Sequence, residues 1–138
     1  MKVVLDTNVW VSAWLWRGLP GQLIALARNQ QIHICSSPAL LAELKMTFSY
    51  EKLQQKIQSL EFTPEELLRG TEELVTVYSI SELDVPELRD RDDRVVLATA
   101  LAAEADIIIT GDKDLLVLLE YQQILILTVK DFLEYYTG

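Results

Sequence analysis

Six acidic side chains stand where an α/β chain can do chemistry. Asp6 ends the apolar run Val3-Val4-Leu5, and Asp112 follows Ile107-Ile108-Ile109 by way of Thr110-Gly111, with Asp114 two residues later. Asp92-Asp93 opens an apolar stretch from Val95 to Ala103, and Glu43 borders an apolar stripe one turn into a segment beginning Ser37-Pro38. In open α/β sheets, ligands bind outside the carboxyl ends of the strands, which is where these acids fall. Singly, each has a plain structural reading: Asp92 or Asp93 caps a helix, Asp6 and Asp112 are turn residues, and Glu43 is a surface acid. Jointly they are costly, because two carboxylates roughly 5 Å apart repel by about 3 kcal/mol at an effective dielectric near 20. The strand ends that carry the acids supply no obvious Lys or Arg, with Lys113 the one candidate beside them. Hard oxygen donors short of counter-charge suit a divalent cation such as Mg²⁺, which takes few carboxylates and keeps waters that phosphate oxygens can replace.

Other chemistries find few residues. The single Cys, Cys35, excludes an internal disulfide and a cysteine-rich zinc site. The single His, His33, lies inside Ile32-His33-Ile34-Cys35 and reads as a buried or half-buried strand residue, too committed to join a Ser-His-Asp triad. Twelve Lys and Arg against 21 Asp and Glu give a net charge of −9, the wrong sign for a purely electrostatic grip on nucleic acid. Glu61 to Arg91 carries −6 of that charge and reads as a solvated helical face. No apolar run approaches the ~20 residues of a membrane span. Met1-Lys2 leads into a strand rather than a signal peptide, so a cytoplasmic location is expected.

The elements that would position the acids can be read from periodicity. With 138 residues, half of them apolar, the chain suits one packed domain over 1–138. Strands are predicted at Val3–Leu5, Ile32–Cys35, Val75–Ile80, Ile107–Ile109 and Ile124–Leu127. Helices are predicted at Trp10–Trp14, Leu23–Asn29, from Pro38 through Phe48, Tyr50–Leu60, Pro64–Leu74, from Arg91 through Ala103 and Val129–Tyr136, with a break at Arg17–Gly21. The strand runs are unbroken rather than alternating, as in a parallel sheet covered on both faces.

Val3-Val4-Leu5-Asp6-Thr7-Asn8-Val9, Ser37-Pro38 with Glu43, Asp92-Asp93 before Leu97-Ala98-Thr99-Ala100, and Ile109-Thr110-Gly111-Asp112-Lys113-Asp114-Leu115 resemble the PIN-domain family. Within it they resemble most the bacterial toxins of toxin–antitoxin systems, and the likeness runs over essentially the whole chain. The resemblance implies a three-layer α/β/α fold with strand order 3-2-1-4-5 and a metal-dependent ribonuclease. Its catalytic acids would be Asp6, Glu43, Asp93 and Asp112, the same four joined by Asp114 would hold one or two Mg²⁺ or Mn²⁺ ions, and Thr7, Asn8 and Thr110 would support them. Asp93 is preferred to Asp92 by its spacing to Leu97-Ala98-Thr99-Ala100. The implied partners are an RNA substrate, an antitoxin protein and a second copy in a homodimer, with no membrane. The alternative is a catalytically idle PIN-like interaction module. A haloacid-dehalogenase-type phosphatase fits less well, because its second Asp is replaced here by Asn8. A receiver domain would need an Asp where Ser79-Ile80-Ser81 stands. Trp14-Leu15-Trp16-Arg17-Gly18-Leu19-Pro20 is expected to serve either core packing or a partner or substrate. Lys45, Lys52 and Lys56 read either as a solvated face or as a path for RNA.

Overall fold

A computed structural model describes residues 1–81 and 88–137. The chain runs β1 (Lys2–Leu5), α1 (Thr7–Leu15), α2 (Gly18–Arg28), β2 (His33–Ser36), α3 (Pro38–Phe48), α4 (Glu51–Ser59) and α5 (Pro64–Leu74). It continues with β3 (Val75–Val77), α6 (Arg91–Ala103), β4 (Ile107–Ile109), α7 (Lys113–Leu116), β5 (Glu120–Tyr121), β6 (Ile124–Leu127) and α8 (Val129–Thr137).

The strands form one sheet in the order β3-β2-β1-β4-β6-β5. The five strands expected from the sequence are parallel and stand in the expected order. Beyond them, β5 pairs antiparallel with β6 at the edge, a two-residue polar strand with no apolar run to announce it. Alternate residues of the central strands serve opposite faces, as the period of two requires. Val3, Leu5, Ile34, Ile107 and Ile109 join a core with residues of α1, α2, α4, α5 and the C-terminal half of α3. Val4, Cys35 and Ile108 join a second core built largely on α6. The result is three layers: helices, sheet, helices.

Helix ends follow their sequence signals. Thr63 and Glu66 close a capping box on α5, with Pro64 behind Thr63. Ser37 caps α3 and precedes Pro38. α1 reaches further than its apolar spacing suggests, because Asp6 caps it at Thr7 and Trp16 ends it. The break expected at Arg17–Gly21 is instead the start of α2. Arg17 (φ 59°) and Gly18 (φ 52°) make the left-handed turn, and Pro20 sits in the first turn, where its missing N–H costs little. The third strand stops at Val77 rather than Ile80, although Tyr78 N–H still donates to Ser36 O. His33 is a further correction. It opens β2, where its N–H donates to Met1 O, and its side chain is exposed rather than buried. Of the acids from Glu61 to Arg91, Glu61, Glu65, Glu66, Glu72 and Glu73 are solvated on and beside α5, while Glu82, Asp84 and Glu87 lie outside the described residues.

Candidate active site

The strand order reverses at β1, which pairs with β2 on one side and β4 on the other. Leu5 stands opposite Ile109, so the residues just past each strand, Asp6 and Thr110, leave the sheet side by side. Asp6 N–H donates to Ile109 O at 3.0 Å, and Thr110 Oγ1 donates to Asp6 Oδ2 at 2.7 Å. The other carboxylate oxygen of Asp6 accepts the Thr7 N–H at 2.7 Å. Thr110 Oγ1 in turn accepts the Asp112 N–H at 3.0 Å, and Asp112 Oδ1 accepts the Asp114 N–H at 2.8 Å. A chain of hydrogen bonds thus runs from the end of β1 to the start of α7. Its buried members, Asp6 and Thr110, are fixed by the scaffold.

Asp93 arrives from the other layer. It lies in the first turn of α6 and is buried, while Asp92 beside it is exposed. Neither caps the helix: that work falls to Asp90, whose side chain accepts the Asp92 N–H at 2.9 Å. One carboxylate oxygen from each of Asp93, Asp112 and Asp114 lies within 4.8 Å of the others. Asp6 and Glu43 stand outside this ring of three; the charge of Asp6 bears on Asp93, and Glu43 feels the charges of Asp92, Asp6 and Asp90. The Asp92–Asp93 pair divides its influence, with Asp93 beside Asp112 and the charge of Asp92 bearing on Glu43 and Asp6.

The titration behaviour follows from burial and like charge. Burial pushes the Asp93 carboxyl from 3.8 up to about 7, reinforced by the charges of Asp112, Asp90 and Asp6 and by a hydrogen bond to Asp112 that favours its protonated form. Glu43, half-buried on α3, is pushed from 4.5 up to about 7 by burial and then by Asp92, Asp6 and Asp90, while Thr7 pulls it down. Burial also holds Asp6 above the usual carboxylate range, against the hydrogen bonds from Thr110 and Thr7 and with the help of Asp112 and Asp92. The leading charges acting on all three are negative. Lys113 is exposed and is not among them. Arg94, the nearest cation on α6, spends its guanidinium on the carbonyls of Leu88 and Arg89.

Two observations bear on whether a divalent ion fits. The donors are all hard carboxylate oxygens, the set Mg²⁺ and Mn²⁺ accept. Thr7 Oγ1 is buried at this edge, close enough to Glu43 to hold its carboxyl down, yet it completes no hydrogen bond of ordinary geometry among the described residues, so a polar atom is left under-satisfied beside the acids. Asn8 is exposed on α1 and is not tied to the cluster by any hydrogen bond among the described residues. Sequence reasoning missed one further pair. Ser37 Oγ and Thr99 Oγ1, both fully buried, hydrogen-bond at 2.8 Å and join α3 to α6 six residues from Glu43 and six from Asp93. Thr99 is the one polar interruption of its apolar stretch, which was the available signal.

Known proteins give a consistent picture. A PIN domain family model matches residues 2–114. A chain of the crystal structure of VapBC2 from Rickettsia felis, bound to a DNA fragment from their promoter, is similar in fold. It is 18% identical with a TM-score of 0.61, over 91% of this chain and 97% of that one. No curated protein matches the chain. No helix among the described residues is long and apolar enough to cross a membrane. With its acids gathered at the strand ends and the family model covering most of its length, this chain belongs to the PIN domain family.

Proposed function

We propose that the chain is a Mg²⁺- or Mn²⁺-dependent endoribonuclease of the cytoplasm, the toxin of a toxin–antitoxin pair. The observation that carries the reading is the gathering of Asp6, Glu43, Asp93, Asp112 and Asp114 at one sheet edge, with two carboxyls pushed up to about 7 and no cation among the charges that dominate there. Membership of the PIN domain family supports phosphodiester chemistry, and likeness to a chain of VapBC2 supports a partner protein.

In this reading Asp93, Asp112 and Asp114 hold the ion, with Asp6 and Glu43 completing the acidic wall. Bound Mg²⁺ or Mn²⁺ supplies a Lewis acid for the phosphate and lowers the pKa of a water for in-line attack. Asp6 keeps its orientation because Thr110 and the Thr7 N–H already hold both of its oxygens. Glu43, titrating near neutrality, takes up or gives back a proton beside Thr7. The acids together reject a polyanion until the ion reverses the local sign, which reconciles a chain of −9 with an RNA substrate.

The test is cleavage of single-stranded and structured RNA by the purified chain. Cleavage that needs Mg²⁺ or Mn²⁺, stops in EDTA and is lost in Asp112→Asn supports the reading. Robust cleavage in excess EDTA refutes the metal mechanism. No cleavage under any condition favours the idle interaction module.

A further inference from the structure

Two features that stand far apart in the sequence meet on the surface. Trp16, at the end of α1, is 56% exposed, and the Lys56 ammonium of α4 lies 5.6 Å from its ring centre. Tyr50, at the start of α4, is 43% exposed, and Lys52 lies 6.0 Å from its ring centre. Lys52 and Lys56 are four residues apart on one helix and therefore share a flank, beside the buried stripe of Leu53 and Ile57. The two ring–ammonium pairs therefore lie along one flank of α4, Tyr50 with Lys52 at its start and Lys56 with Trp16 one turn on. Lys45 near the end of α3 is also exposed, and from Lys45 to Lys56 three lysines face only Glu51, in a chain whose net charge is −9.

We propose that Trp16, Lys56, Lys52 and Tyr50 form a stacking path for single-stranded RNA leading to the carboxylate edge, an inference that rests on the nuclease reading above. A single strand offers what this flank lacks: flat bases for the rings and phosphates for the lysines. Each lysine lies against its ring when no RNA is bound. A base stacking there moves the ammonium to the adjoining phosphate, so one pair supplies both a platform and a cation. The path is also within reach. Trp16 is ten residues from Asp6 along α1, about 15 Å of helix axis, and Tyr50 is seven residues from Glu43, about 10 Å. α1 packs against α3, so the two helices lead from the acids to the same flank. The acids repel phosphate in the absence of an ion, which leaves RNA affinity to be supplied from outside them.

The experiment measures binding without cleavage: fluorescence anisotropy of an end-labelled oligouridine of about twelve residues, in EDTA, across a salt series. Trp16→Ala should weaken binding about tenfold, and Trp16→Phe, which keeps a ring, should stay within about threefold of wild type. The double variant Lys52→Gln, Lys56→Gln should flatten the plot of log affinity against log salt by about 1.4. Equal affinities in all of these proteins, or no binding by wild type at low salt, overturn the path. An unchanged RNA affinity with a changed molecular mass for Trp16→Ala would mean that this surface meets a protein, and also overturns it. Metal-dependent cleavage alongside indifferent Trp16 and lysine variants removes the path and leaves the nuclease standing. Trp16-dependent binding by a protein that never cleaves does the reverse.

Discussion

Replacing Asp93 by Asn should make the metal-free protein more stable. Native Asp93 titrates at about 7 against an ordinary value of 3.8. At pH 8 that difference corresponds to a penalty of about 4 kcal/mol. Repulsion gives a similar scale: charges within the 4.8 Å that separates Asp93 from Asp112 and Asp114 cost about 3 kcal/mol per pair at an effective dielectric near 20. Asn remains a polar group in a buried place, so the substitution should recover about half, roughly 2 kcal/mol. Its amide can still donate to Asp112 as the protonated acid does. For a chain of this length the melting temperature should rise by about 8 °C. The sign depends on pH. Below about pH 4 both folded and unfolded wild type hold the proton and the advantage of Asn vanishes. Between about 4 and 7 the unfolded chain gives up its proton while the native state keeps it, so wild type loses stability as pH rises, and above 7 the gap is constant. No cap is lost, because Asp90 caps α6. Thermal melts of wild type, Asp93→Asn and Asp93→Ala from pH 4 to 8 in EDTA, repeated with Mn²⁺, provide the assay. Wild type should gain about 2.7 kcal/mol at a hundredfold excess of Mn²⁺ over Kd, and the variants much less. A destabilised Asn variant at pH 8, a gap that ignores pH, or equal Mn²⁺ shifts in all three proteins would refute the shared site.

Mn²⁺ affinity should fall as pH drops below about 7, where Glu43 and Asp93 take up protons that the ion must displace, and calorimetry in buffers of different ionisation enthalpy should count the protons released. Thr110→Val strips Asp6 of one of its two donors and the Asp112 N–H of its acceptor, and should cost about 1–3 kcal/mol in denaturant melts, while Thr110→Ser should cost under about 1. If the toxin reading holds, the product of a neighbouring small gene should co-purify and place an Arg among the acids. A partner that binds elsewhere and leaves cleavage intact would contradict that.

What the sequence disclosed depended on how local the signal was. Val3–Leu5 and Ile107–Ile109 are unbroken apolar runs, so both strands, and with them Asp6 and Thr110, were readable. β5 was not, since Glu120 and Tyr121 owe their pairing to β6 alone. His33 misled because its neighbours are buried, although its place at the mouth of β2 leaves the ring in water. Three aspartates within four positions concealed which one caps α6; only the helical phase separates Asp90, Asp92 and Asp93. The Ser37–Thr99 and Trp16–Lys56 pairings join residues 62 and 40 positions apart, a distance at which pattern reading has no purchase.

The edges of the sheet also constrain how copies can meet. One outer strand, β5, is two residues long with Glu120 exposed on it, and the other, β3, is three. Neither presents a row of free backbone donors and acceptors long enough to template a neighbour. Molecules of this chain should therefore resist joining into a continuous intermolecular sheet, and a twofold pair would be built from helical faces, its interface written in side chains rather than in main-chain hydrogen bonds. Such an interface can be re-specified by a few surface substitutions without disturbing the strands that carry Asp6 and Thr110.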